Sequence, residues 1–304
     1  MRTRKFLCAV LLLLMFTAGA FAANKPAEVH GGMLRYLGTT EEAFQKSIDD
    51  LNGIMRVSMM GVGSRKHAAE VLEMLKVFRE NRYVVTFFDS LTSMLMAMNA
   101  NRVDEISLPE STARYVMKND SEYKILFTLR MPSAIAFGFR NDSTALRDEF
   151  NTVIESMKFD GTLKELEAKY IGNGANFQSN AVGFENFPDA DTVKVAVTGD
   201  MPPVDYVSEN GSAAGYNTAV ISEIGKRLKK NVEIISIESG ARSAALTSGR
   251  ADVIFWYRTT EGVEFPEEIK VEDNPVNKII SDVTEGVILS KPYYSWENVV
   301  FLTK

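Results

Sequence analysis

Val193-Lys194-Val195-Ala196-Val197 opens the most regular series in the chain. It reads as a strand, and the chain then alternates. Pro202-Pro203 lies in a loop, Asn217 to Leu228 has helical spacing, and Asn231 to Ile237 is a strand. Gly240 to Leu246 is a short helix and Ala251 to Trp256 a further strand. Strands separated by helices predict a mostly parallel α/β sheet with helices on both faces.

The same alternation precedes it. Ile54 to Met60 reads as a buried strand ending at Gly61-Val62-Gly63-Ser64, and a helical pattern runs from Arg65 to about Asn81. Tyr83 to Phe88 is β-rich, and Asp89-Ser90 caps a helix through Leu91, Met94, Leu95 and Met98. Val103 to Leu108 is a strand, Ser111 to Lys118 a helix, and Tyr123 to Leu129 and Ala134 to Phe139 are two more strands. Asp142-Ser143 opens an amphipathic helix with Leu146, Phe150, Val153, Ile154 and Met157 on one face. Asp160-Gly161-Thr162 breaks it, and a second helix runs to Tyr170, closed by Gly172. Residues 173–192 have no period and form a linker; 262–286 read as an acidic surface excursion. Val287 to Leu289 and Val299 to Leu302 are the final strands.

An internal repeat relates the two series. Met94 to Asp104 parallels Ala244 to Asp252: each is a helix end, a turn, then Arg102-Val103-Asp104 or Arg250-Ala251-Asp252 entering a strand. Two similar lobes facing one another would make a clamp, because ligands in open α/β sheets bind at the strands' carboxyl ends.

Composition narrows the classes. The chain has 304 residues, 45% hydrophobic and 24% charged, with 2 His and 1 Cys. That describes a globular protein with one large core or two medium ones. Two histidines and one cysteine cannot build a zinc finger, a three-His zinc site, an iron–sulfur site or a disulfide scaffold. A net charge of −6 argues against a nucleic-acid partner. Neither a metal nor another cofactor is expected. Met94, Met96 and Met98 read as packing residues, and neither His67 nor His30 as a ligand.

Residues 1–22 read as an export signal. Arg2, Arg4 and Lys5 form the positive region, Phe6 to Phe16 the apolar one, and Ala20-Phe21-Ala22 the cleavage site. Cleavage near Ala22 would leave 31 basic against 40 acidic residues, a net charge of −9, and no cysteine. The expected product is a periplasmic or secreted protein.

Several motifs resemble the amino-acid-transport type of periplasmic solute-binding protein, the bacterial extracellular solute-binding protein family 3. Lys194 to Thr198, Pro203 and Gly215-Tyr216-Asn217 are similar to that family's opening, and Leu246 to Ile254 to its next strand entry. Lys291-Pro292-Tyr293-Tyr294-Ser295 resembles the segment before the crossover into the second lobe. Leu51-Asn52-Gly53 and Gly61 to Ser64 resemble that lobe's beginning. Ala134 to Arg140, Leu146 and Asp160 to Gly172 are similar to its carboxyl-terminal signature.

The resemblance implies a two-lobed α/β fold of the periplasmic-binding-protein kind (type II-like), each lobe a mixed, mostly parallel sheet flanked by helices. The order is swapped relative to the family, which reads as a circular permutation. One lobe is expected at 50–132, the other at 134–172 plus 193–304, with 173–192 joining the family's usual termini.

The resemblance also nominates residues facing the cleft. Tyr206, Glu238, Trp256, Tyr257, Arg258 and Thr259 fall at or beside ligand-contacting positions of one lobe; Met59, Gly61, Gly63, Ser64 and Glu110 do so in the other. Gly61 and Gly63 would bring backbone N–H groups to an anion, or simply make a tight turn. Trp256 and Tyr257 form a stacking wall or core, and Glu238 meets a cationic ligand or solvent. The family's carboxylate-binding Arg is not found after Thr259, where Glu261, Gly262, Val263 and Glu264 follow. Its ammonium-binding Asp position reads Pro109, with Glu110 next. The expected function is capture of a small polar solute (an amino acid, amine or small carboxylate) by a monomer serving an ABC permease or membrane receptor. The alternatives are a periplasmic sensor input or non-binding relic, or a dehydratase-like enzyme working through Glu238, Glu110 or Asp205.

Overall fold

A computed structural model describes residues 55–60, 83–172, 181–208, 210–259 and 285–304. The expected export signal, the helix at 65–81, Gly61 to Ser64, most of the 262–286 excursion and part of the linker lie outside the described residues.

The described strands are β1 (Met55–Met60), β2 (Tyr83–Phe88), β3 (Glu105–Pro109), β4 (Lys124–Arg140), β5 (Thr192–Val197) and β6 (Asp200–Met201). After them come β7 (Asp205–Val207), β8 (Ala213–Ala214), β9 (Asn231–Ser236), β10 (Val253–Thr259), β11 (Val287–Leu289) and β12 (Tyr294–Thr303). The helices are α1 (Leu91–Asn99), α2 (Glu110–Asn119), α3 (Thr144–Phe159), α4 (Thr162–Tyr170), α5 (Tyr216–Leu228) and α6 (Arg242–Thr247).

The main sheet runs β2-β1-β3-β12-β4-β10-β5-β9, with β11 beside β4; β6, β7 and β8 form a small separate sheet. Its two ends are built alike. β1 lies between β2 and β3, parallel to both, and β5 lies between β9 and β10, parallel to both. Each third strand then meets an antiparallel neighbour, β12 beside β3 and β4 beside β10. The sequence repeat is the entry to these third strands. Both turns pass through a left-handed residue, Asn101 (φ 54) and Gly249 (φ 73), at the position where asparagine and glycine are most tolerated. Asp252 then extends the ladder: Lys194 N–H donates to its carboxylate at 2.9 Å, and its own N–H donates to the Lys194 carbonyl at 2.8 Å.

Two strands join the ends. Sequence predicts separate strands at 123–129 and 134–139, but β4 runs unbroken for 17 residues. Sequence likewise predicts a short final strand at 299–302, yet β12 spans ten residues. Both differences have one cause. Ser133 pairs with Trp296 and Arg130 with Asn298, so two β4 residues oppose one on β12. Pro132, which has no N–H to give, sits in that bulge and costs the ladder nothing.

The buried side chains gather in separate cores. One contains Leu91, Met94, Met98, Ile106, Leu108 and Val116 with Val300 and Leu302 from the end of β12. Another joins Ile135, Phe137, Phe139, Phe150, Ile154 and Met157 to Val193, Val195, Tyr216, Ile221 and Phe255. Residues 134–171 thus share a core with the series that begins at Val193. Phe137 stacks on Tyr293 at 4.2 Å and meets Phe150 edge-on at 5.5 Å. Arg227 on α5 pins α3 and α4 from outside: it donates to Glu223 (2.8 Å), Asp160 (2.7 Å), Ser156 (3.0 Å) and Thr162 (2.8 Å). A third cluster, including Ala196, Leu246, Ile254 and Tyr257, packs under α6. Of the three methionines expected to pack, Met94 and Met98 do so, while Met96 faces solvent.

Candidate functional site

The two long strands pass from one core to the other at 130–133 and 296–298, and polar groups gather near this crossing. Glu110 opens α2 there. Its carboxylate accepts from Asn298 Nδ2 at 3.0 Å and from Arg114, and the Asn298 bond leads in holding its pKa below the usual range. Thr259, buried at the end of β10, pairs with Ala134. Tyr206 on β7 is half-buried; burial raises its phenol, and Tyr115 on α2 and Tyr170 on α4 raise it further, one from each end of the molecule.

Asp205, beside Tyr206 in β7, and Arg242 on α6 are both buried, and the Arg242 charge acts on the Asp205 carboxyl. Asp205 Oδ1 accepts from the Gly199 N–H at 2.8 Å, while Oδ2 is enclosed without a hydrogen bond. Burial pushes the carboxyl up to about 6, against the opposing pull of the Gly199 amide and the Arg242 guanidinium. Arg242, only 3% exposed, donates to the Phe255 carbonyl. Sequence marks Asp205 only as a possible acid–base group and gives no sign of Arg242. Arginines are seldom buried, and nothing local marks this one.

The nominated residues are distributed unevenly. Thr259 and Glu110 come near the crossing, through Ala134 and Asn298, while Tyr206 on β7 is close enough to Tyr115 and Tyr170 for both to raise its pKa. Tyr257 is fully buried beneath α6, its hydroxyl 2.7 Å from Ser243 Oγ. The cause is a register shift in β10: Ile254 pairs with Gly138 and Tyr257 with Ala136, so Tyr257 comes to the same face as Ile254. Its ring fills the space a side chain at Gly138 would occupy, where a Cβ would lie 2.5 Å from it. Arg258 follows it, half-buried, opposite Ile135. Glu238 is exposed at the end of β9. Met59 lies in β1 opposite Phe87 and Ser107, with its side chain outside the description, as is that of Trp256. Gly61, Gly63 and Ser64 lie outside the described residues. Among those residues no group of three or more His, Cys, Asp or Glu is arranged to hold a metal, and no helix is long and apolar enough to cross a membrane.

Two similar half-sheets joined by two crossing strands define a mixed α/β fold. Residues 193–261 match the family model of bacterial extracellular solute-binding proteins, family 3. No curated protein matches. Among solved structures, the chain is similar to the ligand-binding component of an ABC-type import system from Staphylococcus aureus with zinc bound. The identity is 10%, over 83% of this chain and 66% of that one, with TM-score 0.40. The periplasmic aliphatic sulphonate binding protein SsuA from Escherichia coli matches at 12%, over 83% and 65%, with TM-score 0.34. Tv2483 bound to L-arginine matches at 11%, over 83% and 77%, with TM-score 0.38. The chain thus spans just under two thirds of the first two.

Proposed function

We propose that this chain is an exported solute-binding protein that captures a small polar solute between two lobes for an ABC-type uptake system. The observation that carries the reading is the pair of mirrored half-sheets, joined through β4 and β12, with Thr259 and Glu110 near the crossing. Two crossing strands make a hinge, and closing around a ligand is what hinged lobes do. Among the described residues, one lobe comprises 55–60 and 83–130 with 298–304; the other comprises 133–172, 181–208, 210–259 and 285–296. This moves the end of β12 out of the lobe to which sequence assigned it, because it pairs with β3.

We read the order of the parts as a circular permutation. Leu302 pairs with Ile106 while Val57 lies opposite Glu105, so the carboxyl terminus ends two strands from the start of β1. At roughly 4.8 Å per strand, that gap is about 10 Å, which a few residues close. The segment between Gly172 and Thr192 then joins what would be the original ends.

A thermal-shift series tests the function. The probes are amino acids, polyamines, small carboxylates and alkanesulfonates, each at about a hundred times a micromolar Kd. A true ligand stabilises by about 2.7 kcal/mol, raising Tm by roughly 5 °C, without turnover. Tyr206→Ala removes that shift while leaving the unliganded Tm within about 2 °C. Silence across the series favours the sensor or relic reading. Product formation abolished in Glu238→Gln favours an enzyme.

A further inference from the structure

The small β6–β7–β8 sheet belongs to the α5 side of the molecule: β7 and β8 lead into α5, and Asn217 N–H donates to the Val204 carbonyl at 2.8 Å. Yet β6 reaches across the boundary. Met201 is buried in the other core, with Leu91, Met94 and Met98 of α1. Beside it, Asp200 caps α1 from 108 residues away. Leu91 N–H donates to its Oδ1 at 3.2 Å and Thr92 N–H to its Oδ2 at 3.1 Å. α1 already has a local cap, because Ser93 N–H donates to Ser90 Oγ at 3.1 Å. The carboxylate from β6 is therefore a second cap, satisfying donors of the first turn and lying at the positive end of the helix dipole.

We propose that Asp200, seated by Met201, is an internal latch that holds the two lobes against one another in the absence of solute. A bidentate contact of one carboxylate with two adjacent amides fixes direction as well as distance. The contact is made by the protein itself, so the lobes do not depend on a solute to come together. Opening must break the Asp200 bonds and withdraw Met201 from an apolar core. A solute that draws the lobes together would therefore act on a molecule already biased toward closure. The inference needs the two cores and the hydrogen bonds between them; it does not depend on the solute's identity.

The test uses the full chain in a Cys8→Ser background, spin-labelled at Met96→Cys on α1 and Phe159→Cys on α3. Both positions are exposed, at 66% and 95%, and lie on opposite sides of the crossing. Without any solute the parent protein, with its latch intact, should show one narrow distance. Asp200→Ala should at least double the width of that distribution and add a longer component. Asp200→Asn, which keeps an acceptor, should fall between them. Amide exchange at Leu91 and Thr92 should accelerate tenfold or more in Asp200→Ala, with the β5 amides unchanged. An unaltered distance distribution in Asp200→Ala would overturn the latch. So would equal loss of protection at β5, which would mark general destabilisation instead.

Discussion

Gly215→Ala is expected to destabilise the protein by about 4 kcal/mol, enough to leave much of a marginal chain unfolded. Gly215 precedes α5 with φ 99 and ψ 177, a conformation almost confined to glycine. A Cβ there would lie 2.5 Å from the Val204 carbonyl oxygen and 2.8 Å from that of Pro203. Those are backbone atoms, fixed by the N–H groups of Tyr216 and Asn217, which donate to the same two carbonyls at 3.2 and 2.8 Å. Backbone strain of about 1–3 kcal/mol and the displaced loop act together. Because that loop carries Asp205 and Tyr206, any solute response should vanish with it. Gly211→Ala is the comparison: its φ is also positive, at 82, but nothing lies within 4 Å of the added carbon, so it should lose only about 1 kcal/mol. Urea unfolding of the two variants side by side separates a close approach from strain alone.

The second large effect is a pH dependence. Burial raises Asp205 from an ordinary value of 3.8 to about 6, so between those limits the folded protein holds a proton that the unfolded chain has released. Stability from this group is therefore complete below about pH 4 and is lost as pH rises through 6. At 1.36 kcal/mol per unit the loss is about 3 kcal/mol. Asp205→Asn cannot titrate. Its unfolding free energy relative to the parent should rise by about 3 kcal/mol between pH 3.5 and pH 7, whatever its offset at either end. Parallel curves for parent and variant over that range would mean the carboxyl is not desolvated as described.

How much of this was legible beforehand depends on the range of the interaction. Strand and helix signals are local, so β2, β5, α3, α5 and β11 follow from spacing, and the Arg-x-Asp repeat pointed to two related halves. The crossing was not legible, since Met131-Pro132-Ser133 reads as a break unless the opposing bulge at Trp296 to Asn298 is known. The position of Tyr257 turns on a register shift that no periodicity encodes. Arg242 is buried because it reaches the Phe255 carbonyl, 13 residues on, and Asp200 matters because it meets an amide more than 100 residues away. Long-range polar partners are invisible to composition and period alike. The proposed chain order, by contrast, rests on motifs rather than on period.

The most direct test of the account restores the proposed original order. A chain beginning at residue 181, running to Lys304 and continuing with residues 50–172 closes the gap of about 10 Å between the ends of β12 and β1. If the halves are one fold written in swapped order, this chain should unfold cooperatively with a midpoint within a few degrees of the parent's. The amides of α3, α4, α5 and β5 should be protected together. A chain with no single transition, or one in which 144–170 exchange freely while β5 stays protected, would contradict it.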